Sequence, residues 1–209
     1  MAKLLYIEAS PRKERSHSIT VAEAFLAAYK AKHPEDTVEY LDLWHTQLPE
    51  FDDEIIGARY AILGQTPRTT LQVEAWSKIA IIFDHFQSAD KYIFAVPMWN
   101  FHIPYKLKHY IDLITQPNLA FEFVPGEGYK GLILGKRAAV FYSRGGQYGP
   151  GSGAEGFDLQ KAYMELWLGF IGFTNLQTIV VEPTGGAPDD VAIIKARALE
   201  QAVLLAAVF

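Results

Sequence analysis

The segment Lys3-Leu4-Leu5-Tyr6-Ile7-Glu8-Ala9-Ser10-Pro11-Arg12-Lys13-Glu14-Arg15-Ser16-His17-Ser18 opens as an apolar run and continues, without a glycine, towards a stretch of helical spacing. Residues 4–7, 92–96, 138–142 and 179–181 are uninterrupted apolar runs. Runs of this kind suggest strands buried on both faces, as in a parallel sheet covered by helices. A fifth candidate, residues 38–43, is broken by Glu39 and Asp42 and suits a sheet edge. Between the runs, Ile19, Ala22, Phe25, Leu26 and Tyr29 recur at intervals of three and four, as do Val191, Ile194, Ala198, Ala202 and Leu205. Pro188, Asp189 and Asp190 make a favourable first turn for the last helix, because proline has no amide to lose there and acids suit the positive end. Residues 70–87, 105–114 and 155–170 read as further helices. Strands alternating with helices predict an α/β doubly wound five-stranded parallel sheet with helices on both faces.

Composition agrees with that architecture. The 209 residues suit a single domain over 1–209, and no cysteine is present, which excludes thiol chemistry and cysteine-bound zinc or iron–sulfur centres. A formal charge of −5, with no basic run, argues against a nucleic-acid partner. The first residues meet Glu8 after a short apolar stretch, which fits neither a signal peptide nor a membrane span. A soluble cytoplasmic protein is therefore expected, with no membrane association. Two stretches break the rhythm, 44–69 and 118–135. Both read as long ordered loops, and such loops often carry function.

In open parallel sheets, ligands sit beyond the carboxyl ends of the strands. After the first strand, Ser10, Ser16, His17 and Ser18 lead into a helix N-terminus. Hydroxyls and free backbone amides there can bind a phosphate, although Ser18 would equally serve as an ordinary cap. After the third comes Pro97-Met98-Trp99-Asn100-Phe101-His102-Ile103-Pro104, a stiff loop that could wall a flat heteroaromatic ring or complete the core. After the fourth comes Ser143-Arg144-Gly145-Gly146-Gln147-Tyr148, where paired glycines let backbone approach a ligand closely. No Walker loop, dinucleotide fingerprint or nucleophile elbow occurs, and the six histidines lack metal-ligand spacing. Asp52 and Asp53 read as solvated loop charges. So few acids or bases suggest that a bound cofactor carries the reaction.

These residues resemble the FMN-dependent NADH azoreductases, which are flavodoxin-like NAD(P)H:quinone oxidoreductases. The resemblance rests on Ser10-Pro11-Arg12 with Ser16 and Ser18, Pro97-Met98-Trp99-Asn100-Phe101, Leu107-Lys108 with Tyr110-Ile111-Asp112, Gly135-Lys136-Arg137, Ser143-Arg144-Gly145-Gly146 and Leu168-Gly169-Phe170-Ile171-Gly172. It implies a flavodoxin-like fold, an FMN phosphate held by Ser10, Ser16, His17 and Ser18, and an isoalloxazine ring between Met98, Trp99, Asn100 and Phe101 on one side and Ser143, Arg144, Gly145 and Gly146 on the other. It also implies a homodimer in which residues 118–135 reach the partner's flavin, with Phe121, Phe123, His102 and Tyr148 as possible substrate contacts. Lys13, His17 and His102 depart from the residues expected of the family.

The expected activity is two-electron ping-pong reduction of quinones, and of azo compounds, with NADH or NADPH as donor. Two other readings stand beside it. One is an FMN electron carrier without NAD(P)H turnover; the other is a flavin-free interaction domain.

Overall fold

A computed structural model describes residues 1–209. Five parallel strands form one sheet: β1 (Lys3–Glu8), β2 (Thr37–Asp42), β3 (Lys91–Pro97), β6 (Arg137–Ser143) and β7 (Asn175–Val181), in the order β2-β1-β3-β6-β7. Two further strands, β4 (Phe121–Val124) and β5 (Gly128–Gly131), pair antiparallel outside it. The helices are α1 (His17–Lys32), α2 (Asp53–Leu63), α3 (Thr70–Gln87), α4 (Tyr105–Ile114), α5 (Leu159–Ile171) and α6 (Pro188–Ala206).

Period-two alternation divides the central strands between two cores. Leu5, Ile7, Tyr92, Phe94, Val96, Ala138, Val140 and Tyr142 point to one face, where α3, α4 and α5 cover them. Leu4, Tyr6, Ile93, Ala95, Ala139 and Phe141 point to the other, against α1 and α6. Each fully buried Phe or Leu stabilises the fold by roughly 1.5–3 kcal/mol relative to exposure. That both faces are dry explains why β1, β3 and β6 carry apolar runs without alternation. β2 has no fully buried residue, as its two internal acids require of an edge strand.

The boundaries differ from the sequence expectations in four places. β7 begins at Asn175 rather than 179, because it is the other edge strand and its polar residues face outward. The helix expected over 155–170 starts at Leu159, where Asp158 accepts from the Lys161 N–H at 2.9 Å; residues 155–157 form a separate tight turn. Residues 44–69 are not a loop. They contain α2, and Asp52 is its N-cap rather than a solvated loop charge, accepting from the Ile55 N–H at 3.1 Å. Residues 118–135 fold as the β4–β5 hairpin, with Phe121 opposite Gly131 and Phe123 opposite Tyr129.

Candidate active site

Three loops emerge side by side at the carboxyl edge of the sheet because β1, β3 and β6 are adjacent and parallel. Their residues meet at a cavity of about 240 Å³ lined by Ser10, Arg12, Ser16, His17, Pro97, Met98, Trp99, Ser143, Gly145 and Thr184. Seven of the residues singled out from the sequence are therefore brought together.

The N-terminal loop keeps its polar groups available. Ser16 is the N-cap of α1, yet its hydroxyl makes no capping bond. It lies 3.1 Å from the Ser18 hydroxyl instead, so Ser18 is not the cap. Both serines are buried, as is Ser10, whose hydroxyl accepts only a long bond from the Arg12 N–H at 3.3 Å. His17 Nδ1 is buried and has no partner within the protein. Burial lowers the His17 pKa first, and the Lys195 and Arg12 charges lower it further. Orphaned donors, free hydroxyls, Arg12 and a helix N-terminus around one cavity are what a phosphate monoester needs.

The second loop is held in a strained shape. Trp99 and His102 exchange two backbone bonds, Trp99 N–H to His102 O at 2.8 Å and His102 N–H to Trp99 O at 2.9 Å. The two residues between them, Asn100 and Phe101, have φ of 46° and 70°. Positive φ at both central positions is the geometry of a type I′ turn, which asparagine tolerates and phenylalanine does not. The turn thrusts Phe101 out, 45% exposed, with its ring 6.3 Å from Tyr148 and 5.3 Å from Phe157. Trp99 packs with Trp44 and Tyr105, and the Trp44 indole N–H donates to Ala9 O at 3.0 Å, tying the first two loops together.

The third loop continues the sheet pairing, Met98 N–H donating to Ser143 O at 2.8 Å. Gly145 faces open space at the cavity. The Arg144 guanidinium does not: it is buried against Asp158, Glu182 and Gln160, and its backbone N–H and carbonyl are taken by Val181 and Thr184, so Arg144 stands behind the cavity rather than in its lining.

The remaining predicted residues lie around this centre. Trp99, Asn100 and His102 line an adjoining cavity of about 460 Å³ that includes Tyr105, Lys108, His109 and Asp112. The His102 pKa is lowered, by burial first and then by Lys108. A third cavity, of about 680 Å³, shares Asp112 and is walled by Phe51, Arg59, Phe121, Phe123, Tyr129 and Phe170. Phe121 is buried and Phe123 exposed, but two apart on β4 they share one face, where both rings meet Tyr129. Thr184, Arg12 and Pro97 were not singled out as site residues. Thr184 follows β7, and reading the carboxyl end of the fifth strand as the other ends were read would have found it.

Residues 2–204 match the protein family described by its flavodoxin-like fold. The chain belongs to the flavodoxin-like family. Among its relatives, an FMN-dependent NADH:quinone oxidoreductase of Desulfotalea psychrophila is 52% identical over 184 residues, spanning 88% of this chain and 86% of the relative. The crystal structure of an azoreductase from Bacillus anthracis str. Sterne superposes on this flavodoxin-like chain with a TM-score of 0.90, 35% identity and full coverage of both chains. An FMN-dependent NADH-azoreductase from Bacillus anthracis str. Ames Ancestor, solved in complex with FMN, gives 0.87 at 26% identity, covering 98% of each chain.

Proposed function

We propose that this protein is an FMN-dependent NADH:quinone oxidoreductase that also reduces azo compounds, acting as a homodimer of single-domain chains in the cytoplasm. The observation that carries this reading is the convergence of the β1, β3 and β6 loops on one cavity with buried serine hydroxyls bonded only within their own loop and an unpartnered histidine nitrogen. The relatives support it: they are named for FMN, NADH and quinone, or as azoreductases.

Ser10, Ser16, His17 and Ser18, with Arg12, would hold the FMN phosphate. Met98, Trp99, Asn100 and Phe101 would flank the ring on one side, and Ser143, Gly145 and Gly146 on the other, with Arg144 supporting them from behind. When bound, FMN supplies hydride acceptance from NADH and hydride donation to the acceptor. The chain's own work is to orient and to exclude water. The Gly145 and Gly146 amides and Asn100 offer fixed donors to charge that develops on the ring. The Trp44, Trp99 and Tyr105 rings, packed on one another, shield one flank from solvent. No helix is long and apolar enough to cross a membrane. Homodimerisation would cover Phe123 and Tyr129, 60% and 65% exposed on the hairpin, and place them, with Phe121, beside the partner's flavin.

Anaerobic stopped-flow mixing of NADH with the FMN-loaded protein tests the assignment. Flavin bleaching faster than the free-FMN control, followed by reoxidation on adding a quinone, is expected. Bound FMN that does not bleach faster than free FMN marks an electron carrier, and protein that stays colourless after reconstitution marks a flavin-free domain; both overturn the proposal.

A further inference from the structure

A single carboxylate holds both ends of the loop that follows β6. Glu182 Oε2 accepts from Arg144 Nη1 at 3.2 Å and from the backbone N–H of Tyr148 at 3.0 Å. Its other oxygen lies 2.8 Å from where a Cβ on Gly149 would stand, so glycine at 149 is what lets the chain pass against the carboxylate. Glu182 directly follows β7, so the clasp ties the loop to an element that the sheet itself fixes.

The Arg144 stem is locked from every direction. Its side chain is 1% exposed. Nη2 donates to Asp158 at 2.6 Å and Nε donates to Gln160 Oε1 at 3.0 Å. Gln160 in turn donates to Val96 O at 2.9 Å, at the end of β3. The Arg144 carbonyl accepts from both the N–H and the hydroxyl of Thr184, at 2.8 and 2.9 Å. Between these anchors lie residues 145–147, which include both glycine amides that the functional reading assigns to the flavin ring, and the Gly145 carbonyl is itself held, accepting from the Gly185 N–H at 3.0 Å. A three-residue span with both stems fixed has few conformations, so its amides are oriented before any ligand arrives.

We propose that Glu182 is a positioning residue for the flavin: it touches no ligand, and, beside the Thr184 and Gly185 bonds to the Arg144 and Gly145 carbonyls, it steadies the Gly145 and Gly146 amides by clasping Arg144 and Tyr148 together. The proposal rests on the FMN reading above. It assigns a role to a carboxylate outside every motif that suggested FMN, and it explains why Arg144 faces inward. The phosphate end of the cavity is built by the separate loop after β1, so opening the clasp weakens hold on the ring and leaves hold on the phosphate intact.

The experiment compares Glu182→Ala, Glu182→Asp and Glu182→Gln. Asp keeps the charge that the buried guanidinium needs but is one methylene too short to reach both donors. Gln keeps an oxygen that can accept from both while Asp158 still neutralises Arg144. Hydrogen exchange on the FMN-free protein should speed up in the segment 144–150 alone for the Ala and Asp variants, and remain near wild type for Gln. Fluorescence-quenching titrations with FMN and with riboflavin should show both affinities falling tenfold or more in Ala and Asp, by the same factor, with Gln recovering most of the loss. If Ala does not fold, the Asp–Gln pair carries the comparison unchanged. Exchange raised throughout the chain, FMN affinity unchanged in a variant whose loop has loosened, or Gln behaving like Asp would each overturn the role. Wild-type protein that binds no FMN would overturn the functional reading instead, and exchange in the FMN-free protein would still decide whether the clasp exists.

Discussion

Replacing Gly131 by alanine should lift the β4–β5 hairpin off the end of α5. A Cβ at Gly131 would stand 2.6 Å from Gly172 Cα and closer still to Gly172 N and Ile171 C. Carbon pairs rest at about 3.5–4.0 Å, so the overlap is roughly 1 Å or more. The opposing atoms are backbone and cannot swing aside. Gly172 ends α5 with φ 116°, its N–H donates to Gly169 O at 3.1 Å, and Ile133 N–H donates to Ile171 O at 2.8 Å, so both strands of the contact are tied down. Overpacking costs about 1–3 kcal/mol, and a backbone-on-backbone clash belongs at the upper end. For a domain of this size, about 3 kcal/mol lowers Tm by roughly 6–12 °C. The hairpin carries Phe121, Phe123 and Tyr129, which wall the 680 Å³ cavity with Phe170, whereas the cavity proposed for the flavin is built by the strand ends. Thermal unfolding followed by circular dichroism should show the fall in Tm. Steady-state kinetics with a quinone series should show a raised acceptor KM, with the rate of flavin reduction by NADH retained. A Tm within about 1 °C of wild type, together with an unchanged acceptor KM, would refute the argument that this seam moors the hairpin.

Three other substitutions probe separate links. Phe101→Gly should leave stability nearly unchanged while impairing turnover: relief of the left-handed backbone gains roughly 1–2 kcal/mol, glycine gives back about 0.5–1 kcal/mol through its greater unfolded-state entropy, and the buried part of a ring that is 45% exposed is worth about 1 kcal/mol more. A Tm within about 4 °C of wild type with a fall in kcat/KM is expected, and an unchanged kcat/KM contradicts it. Burial first, then the Lys195 and Arg12 charges, lower the His17 pKa in the folded chain, while the unfolded chain takes up a proton near the ordinary value of about 6.5. Stability from this group is therefore present above about pH 6.5 and lost as pH falls through the lowered folded pKa. His17→Gln should flatten the acid-side decline of Tm in the FMN-free protein, and parallel curves for the two proteins would show that His17 is not responsible. Asp52→Ala removes the cap of α2 and should cost about 1 kcal/mol, read as a Tm roughly 2–4 °C lower, with FMN affinity unchanged.

The parallel sheet was legible because its central strands obey one rule throughout. All of 92–96 and 138–142 are buried, so the sequence needs no polar residue there and carries none. Edge position blurs the signal: only Ile179 and Val181 of β7 are buried, and Asn175, Gln177 and Thr178 hid its first half. α2 was hidden for a different reason. Its buried positions are only Ile55, Ala58 and Ala61, and the acids before it look like loop until Asp52 is seen to cap a helix. At the site, the loops were found from their position after each strand, and the resemblance supplied the cofactor. Side-chain direction was not available from either. Arg144 turns inward because Asp158, Gln160 and Glu182, 14, 16 and 38 residues away, meet it there, and pairings that distant leave no local pattern.

The places where local rules are broken cluster at the same edge of the sheet. Five non-glycine residues have positive φ, and three of them, Lys13, Asn100 and Phe101, lie in the loops after β1 and β3. Each is held by contacts from outside its loop or across its turn: Lys13 by Glu8 and Asp42, Asn100 and Phe101 by the Trp99–His102 bonds. The buried charge of Arg144 with two carboxylates sits after the neighbouring strand. Strain and buried charge persist only where surrounding structure over-determines them, and here the neighbouring strands supply that constraint. The same rigidity that fixes a ring-sized slot between loops therefore depends on these constraints, so Arg144→Ala, which leaves the largely buried Asp158 and Glu182 carboxylates without their partner, should lower Tm and flavin affinity together.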